Sequence, residues 1–161
     1  MRLTPASGGP YDEAMNRRPR KHARRPAADS LVFSFLDAAE AVEARLEAAV
    51  SPTGLSLAKL AVLHFLAEAK EPLPLSALAE RQHCVRSNIT QLVDRLEKDG
   101  LVRRRADPDD RRSVRAALTP VGERAHAEGM RALAEEQRAI VNSLSAGDAA
   151  NLQEVLGLLA G

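Results

Sequence analysis

Aromatic side chains are scarce in this 161-residue chain: three Phe, one Tyr and no Trp, 2% of the whole. That argues against a large aromatic cage around a ligand. Cys84 is the single cysteine, so no disulfide can close within the chain, which suits a reducing cytoplasm. The four histidines and one cysteine do not cluster at metal-ligand spacing, and neither a structural metal nor a cofactor is expected. No apolar run approaches the roughly 18–20 residues a membrane helix needs, and the N-terminus lacks the apolar stretch of a secretory signal. Neither a membrane partner nor export is therefore expected. No nucleophile–base pair, phosphate-cradling glycine loop or carboxylate pair stands out, which argues against an enzyme.

What is present is helix-forming and unevenly charged. The chain is 45% hydrophobic and 28% charged, enough for one domain with a core. The net charge of +1 conceals two basic stretches. Ahead of Pro26, Arg2, Arg17, Arg18, Arg20, Lys21, Arg24 and Arg25 face only Asp12 and Glu13. Further on, Arg103, Arg104, Arg105, Arg111, Arg112 and Arg115 lie among Asp107, Asp109 and Asp110. Charge concentrated in this way on a mildly acidic body suggests a polyanionic partner. Residues 1–28, with four prolines and little periodicity, read as a disordered basic tail. Met15 is an alternative start within it.

Six helices and two to three short strands follow. Ser30 is the expected cap of a helix running to about Val50, with an apolar stripe from Leu31 to Leu46. Ser56–Ala69 reads as a second helix, with Leu57, Leu60, Ala61, His64 and Phe65 recurring three or four apart, and Glu71–Pro74 as a loop. Leu75–Gln82 is a short helix, then a tight turn, then an amphipathic helix over Arg86–Asp99. Its buried stripe is Ile89, Leu92, Val93 and Leu96, and Gly100 stops it. Leu101–Arg105 and Ser113–Leu118 form a β-hairpin across the Asp107-Pro108-Asp109-Asp110 turn. Thr119-Pro120 starts a long helix to about Asn142, and Ser145 starts the last. The terminal helices carry apolar stripes with nothing nearby to cover them, so a second copy of the chain is expected there.

A short helix, a turn, an amphipathic helix and a basic hairpin form a winged helix-turn-helix, a device for reading double-stranded DNA. The exposed face of Arg86–Asp99 offers Ser87, Asn88, Thr90 and Gln91 as base readers, because their hydroxyls and amides match base-edge donors and acceptors. Arg86 and Arg95 suit bases or phosphates. Asp94 would repel DNA and is expected to pair with Lys98, one turn on. In the hairpin, Arg105, Arg111 and Arg112 suit phosphates or a minor groove, and Asp110 is spaced to hold the Arg112 guanidinium.

These segments resemble the MarR family of bacterial transcription regulators. LSALAE matches the first helix of its motif, RSNITQLVDRLEKDGLVRRR (Arg86–Arg105) the recognition helix and first wing strand, and DPDDRRSVRAALTPVG (Asp107–Gly122) the wing and the start of the next helix. The resemblance implies a mainly α fold with a β-hairpin wing. It makes residues 29–161 a single domain, with dimerisation helices over 30–50 and 119–160 and the winged motif over about 56–118. It further implies a cytoplasmic homodimer that binds pseudopalindromic operators, usually as a repressor, and is released by a small ligand or an oxidant. The family's D-x-R wing motif maps onto Asp110 and Arg112, with Arg112 in the minor groove. The chain departs from the family pattern at His83, where a turn glycine is common, and at Val85, where a capping hydroxyl is common. Ser87 is the hydroxyl left to cap the helix.

Ligand sites in relatives lie between the dimerisation helices and the DNA-binding lobe, which makes Phe33, Phe35, His64 and Phe65 candidate effector contacts. Cys84 is the candidate oxidant sensor, since the helix start and Arg86 beside it would favour its thiolate. Its position equally suits a small packed hydrophobe. The alternative function is a winged-helix module that docks proteins, but such a face should be apolar, and Ser87, Asn88, Gln91 and Arg95 are not.

Overall fold

A computed structural model describes residues 28–107 and 113–161 of the chain. Contacts divide the chain into two units, Met1–Leu36 and Asp37–Gly161. The division falls inside the first helix, α1 (Ala28–Val50). This helix starts two residues before Ser30, which lies in its first turn and accepts a hydrogen bond from Ser34 Oγ (2.8 Å). Ser30 is therefore not its cap.

Within the second unit a 3₁₀ turn (Ser51–Thr53) leads to α2 (Leu57–Ala69). Ser56 caps α2 by accepting from Lys59 N, and Glu47 of α1 accepts from Leu57 N (2.8 Å), so two of the free N–H groups of its first turn are satisfied. The face α2 buries differs from the expected stripe. Leu60, Val62, Leu63 and Leu66 are buried, whereas Leu57, Ala61, His64 and Phe65 are half-buried. Apolar residues wrap this helix on several sides, so spacing alone did not single out its inner face.

The segment expected as a loop contains a strand, β1 (Leu73–Pro74). It pairs antiparallel with β3 (Val114–Leu118) through Leu73–Ala116 and Pro74–Arg115. Proline is tolerated because β1 is an edge strand. The hairpin partner β2 (Val102–Ala106) lies on the other side, giving the order β1-β3-β2. Between them run α3 (Leu75–Arg81) and α4 (Arg86–Lys98). Leu78, Ile89, Val93 and Leu96 are fully buried and pack with Leu60, Leu63, Val102 and Ala116 into one core.

Gly100, with φ of +72°, takes the left-handed conformation that ends α4 and turns the chain into β2. Thr119 then caps α5 (Pro120–Asn142), accepting from Gly122 N and donating to Gly100 O (2.7 Å). A Cβ on Gly122 would sit 1.9 Å from Leu101 O, so only glycine lets α5 start this close to the sheet. Farther along, Gly129 packs against Leu60 and Leu55 of the core. Last comes α6 (Ala146–Ala160), capped by Ser145, with residues 146–159 exposed apart from the half-buried Ala149. No single helix among the described residues is long and apolar enough to cross a membrane.

Candidate nucleic-acid interface

The helix-turn-helix turn is closed by backbone bonds: Gln82 N to Leu78 O, His83 N to Glu80 O and Cys84 N to Ala79 O, all 3.1 Å. His83 has φ of +49°, the left-handed region that favours glycine. α4 then begins at Arg86 behind Val85, which offers no side-chain cap. Ser87 lies inside the first turn and does not cap the helix, contrary to expectation; the cap position is already filled by Val85 in extended conformation.

With Ile89, Val93 and Leu96 held in the core, the opposite face of α4 is turned outward. Arg86, Ser87, Asn88, Gln91 and Arg95 are exposed on it. Thr90 is half-buried, and its hydroxyl donates to Arg86 O (2.9 Å). Arg86 and Thr90 line a hollow of about 260 Å³ with Leu75, Arg104 and Val114, at the junction of α4 and the wing.

Asp94 does not pair with Lys98. Arg104 of β2 reaches it from the side, its Nη1 against Asp94 Oδ1. The same guanidinium donates to Thr90 O (3.2 Å) and lies 3.7 Å from Glu97 Oε2, while Arg104 N donates to Glu97 Oε1 (2.9 Å). A planar guanidinium on the neighbouring strand can meet two carboxylates and a carbonyl at once, which an exposed lysine on the same helix cannot. One of the two negative charges on this side of α4 is thereby offset, and β2 is fastened to α4.

Strand alternation sends Arg103 and Arg105 to the other face of β2. Both are exposed, and both line a cavity of about 460 Å³ with Leu66, Lys70, Glu123 and His126. At the base of the wing, Arg105 and Arg115 stand opposite each other, and Asp107 offsets the repulsion. Its buried carboxylate accepts from Arg115 Nε (2.7 Å), and its N–H donates to Ser113 O (3.2 Å). Asp110, Arg111 and Arg112 lie outside the described residues.

Two of the four candidate effector contacts are neighbours on α2. His64 and Phe65 have ring centroids 6.3 Å apart on α2, and Arg81 lies over the Phe65 ring. Phe33 and Phe35, on the part of α1 in the first unit, are exposed. Cys84 is half-buried against the core and lines a hollow of about 290 Å³ with Asn88, Gln91, Leu92 and Arg95. Sequence reasoning missed the partner of His64: His64 Nδ1 lies 3.3 Å from His126 Nε2, across 62 residues, with the rings stacked at 25°. Burial, and secondarily the neighbouring His64, hold His126 below the ordinary imidazole value of 6.5. No spacing rule connects residues on α2 and α5, so only the packing of the two helices reveals this pair.

Residues 55–114 match the family model of the MarR family. The HTH-type transcriptional repressor YetL of Bacillus subtilis (strain 168) is 33% identical over 93 residues, which is 57% of this chain and 56% of that protein. The chain spans between about a third and little more than half of the curated relatives it matches. A probable transcriptional regulator from Pseudomonas aeruginosa, solved by crystallography, is 32% identical with a TM-score of 0.68, over 81% of this chain and 97% of that one. CouR from Rhodococcus jostii RHA1, solved bound to p-coumaroyl-CoA, is 26% identical with a TM-score of 0.68, over 85% of this chain and 96% of that one.

Proposed function

Because this chain belongs to the MarR family, we propose that it is a homodimeric transcription regulator, a repressor, that reads a pseudopalindromic operator in double-stranded DNA. It acts in the cytoplasm, where a bacterial operator is found. The observation that carries the reading is the outward face of α4. Its row of Arg86, Ser87, Asn88, Gln91 and Arg95 is exposed and polar, and it stands on a fully buried base of Ile89, Val93 and Leu96. The core of a protein-docking patch is enriched in aromatic residues and Met, and this row carries neither. Amide and hydroxyl groups on a rigid helix suit base edges in the major groove, with Thr90 at the margin of the contact.

The wing supplies the second contact. Arg105, Arg111 and Arg112 meet phosphates or the minor groove, and Asp110 aims Arg112. The second copy of the chain covers the exposed apolar residues of the terminal helices and places two recognition helices on one duplex. A small molecule or an oxidant releases the operator. Phe33, Phe35, His64 and Phe65 are the proposed effector contacts, and Cys84, beside the recognition helix, is the proposed point of oxidation.

The test is DNA binding by fluorescence anisotropy over a salt series, with wild type, Gln91→Ala and Arg112→Ala. Affinity should fall steeply with salt, because phosphate contacts release counterions. Each variant should weaken specific binding by about 1–3 kcal/mol without lowering the unfolding temperature. Equal affinity of both variants and wild type would overturn the reading.

A further inference from the structure

The joint between α2 and α5 combines small and apolar contacts with a polar one. Gly129 lets α5 lie against Leu60 and Leu55, and Ala125, Met130 and Leu133 pack on the same core. One turn before Gly129, the two imidazoles meet at 3.3 Å, ring nitrogen to ring nitrogen. A contact of that length needs one proton between the nitrogens. One ring donates an N–H and the other accepts with a lone pair, which only a neutral imidazole has.

Three protonation states follow. With both rings neutral, the N–H···N bond stands. With one proton added, one facing nitrogen still carries a lone pair and the bond becomes charge-assisted. With two protons added, both facing nitrogens carry N–H groups, no acceptor remains, and two positive rings oppose each other. The surrounding charges do not remove this conflict. Glu68 on α2 lies 3.5 Å from His64, and Lys70 and Glu71 at the end of α2, Arg103 and Arg105 on β2 and Glu123 on α5 line the cavity that His126 also lines. Of the charges acting on His126, the neighbouring His64 is the one that lowers its affinity for a proton, after burial.

We propose that the His64–His126 contact is a proton-controlled latch between α2 and α5, closed while either ring is neutral and opened when both are protonated, so that acid weakens operator binding. Helix α2 belongs to the lobe that carries α4 and the wing, and α5 begins directly on the sheet and runs on to the proposed dimer region. Opening the latch loosens the joint that sets where the recognition helices stand. The DNA part of the proposal rests on the regulator reading above, whereas the latch itself does not. The sign of the effect is diagnostic. Protonating scattered surface histidines would make the protein more positive and strengthen its hold on a polyanion. The latch predicts weaker binding instead.

The experiment compares wild type, His126→Gln and His64→Gln between pH 7.5 and 5.5, reading thermal unfolding without DNA and operator affinity by anisotropy. Glutamine keeps an amide that can bond to the remaining ring and cannot take up a proton. The wild type is expected to lose more thermal stability on acidification than either variant. It should also lose about tenfold in affinity, the change equivalent to one pKa unit of coupling, where both variants hold theirs. The His126 proton signals in NMR should titrate closer to the ordinary value in His64→Gln. Equal acid sensitivity of wild type and both variants in thermal unfolding would overturn the latch. Loss of the unfolding difference in only one variant would also overturn it, since the contact needs both rings. A wild-type unfolding difference that both variants abolish, with no specific DNA binding at any pH, would keep the latch and overturn the regulator reading.

Discussion

The helices of the winged lobe and the helices at the chain ends use the same residue types to opposite effect. In α2, α3 and α4, Leu60, Leu63, Leu78, Ile89 and Leu96 are wholly buried against one another. In α6, Leu152, Val155, Leu156 and Leu159 fall at the spacing of one helical stripe and are all exposed, Leu159 by 66%. In α1, Phe33 is 65% exposed, with Leu31, Val32 and Leu36 also open. The lobe closes its core among the described residues, whereas those residues leave the apolar stripe of α6 uncovered. A regular stripe that the described residues leave uncovered suits packing against another helix. The proposed second copy supplies it, and the same pairing would hold two recognition helices at a fixed separation.

Four substitutions probe that contrast. Gly122→Val puts a side chain onto the Leu101 carbonyl, 1.9 Å from the new Cβ. Backbone cannot yield as a flexible side chain can, so denaturant unfolding should show a loss of roughly 3 kcal/mol or more. Leu63→Ala empties a fully buried site and should lower stability by about 2–5 kcal/mol, read from the urea midpoint. Thr119→Ala removes the acceptor for Gly122 N and the donor to Gly100 O, and about 1 kcal/mol with it. Leu156→Asp should have the smallest effect on the lobe's own hydrogen-exchange protection, within about 0.5 kcal/mol. Its solution mass by sedimentation should instead fall to the 17.4 kDa of one chain. If Leu156→Asp lowered protection of the lobe as far as Leu63→Ala does, the contrast between the two regions would fail.

Acid should act on the joint between those regions. The folded chain holds His126 below 6.5, so it binds fewer protons there than the unfolded chain does. The associated stability is complete above pH 6.5 and is lost as the pH falls from there through the folded value.

Much of this arrangement was legible in the sequence because it rests on local rules. Ser56, Thr119 followed by Pro120, and Ser145 announced helix starts, and Gly100 announced an end, since caps and left-handed turns depend on one or two residues. The core stripe of α4 was legible because its outer face is strongly polar: of Ile89, Leu92, Val93 and Leu96, all but the half-buried Leu92 are buried. The inner face of α2 was not, because apolar residues surround that helix. β1 is two residues long and contains a proline, so its pairing exists only through β3. The partners of charged residues were the least legible. Lys98 lies one turn along the same face of the helix from Asp94, yet Arg104 reaches Asp94 from the next strand. Arg115 and His126 likewise find Asp107 and His64 by folding, over separations no periodicity encodes.

The central claim is that one chain provides half of a DNA reader. Selection of duplexes from a random pool by the full-length protein tests it most directly. The account predicts enrichment of a motif with two-fold symmetry, its half-sites about 10 base pairs apart or a multiple of that, centre to centre. It also predicts that Gln91→Ala relaxes the choice at one position in each half. Enrichment of no motif, or of a single unrepeated half-site, would contradict it.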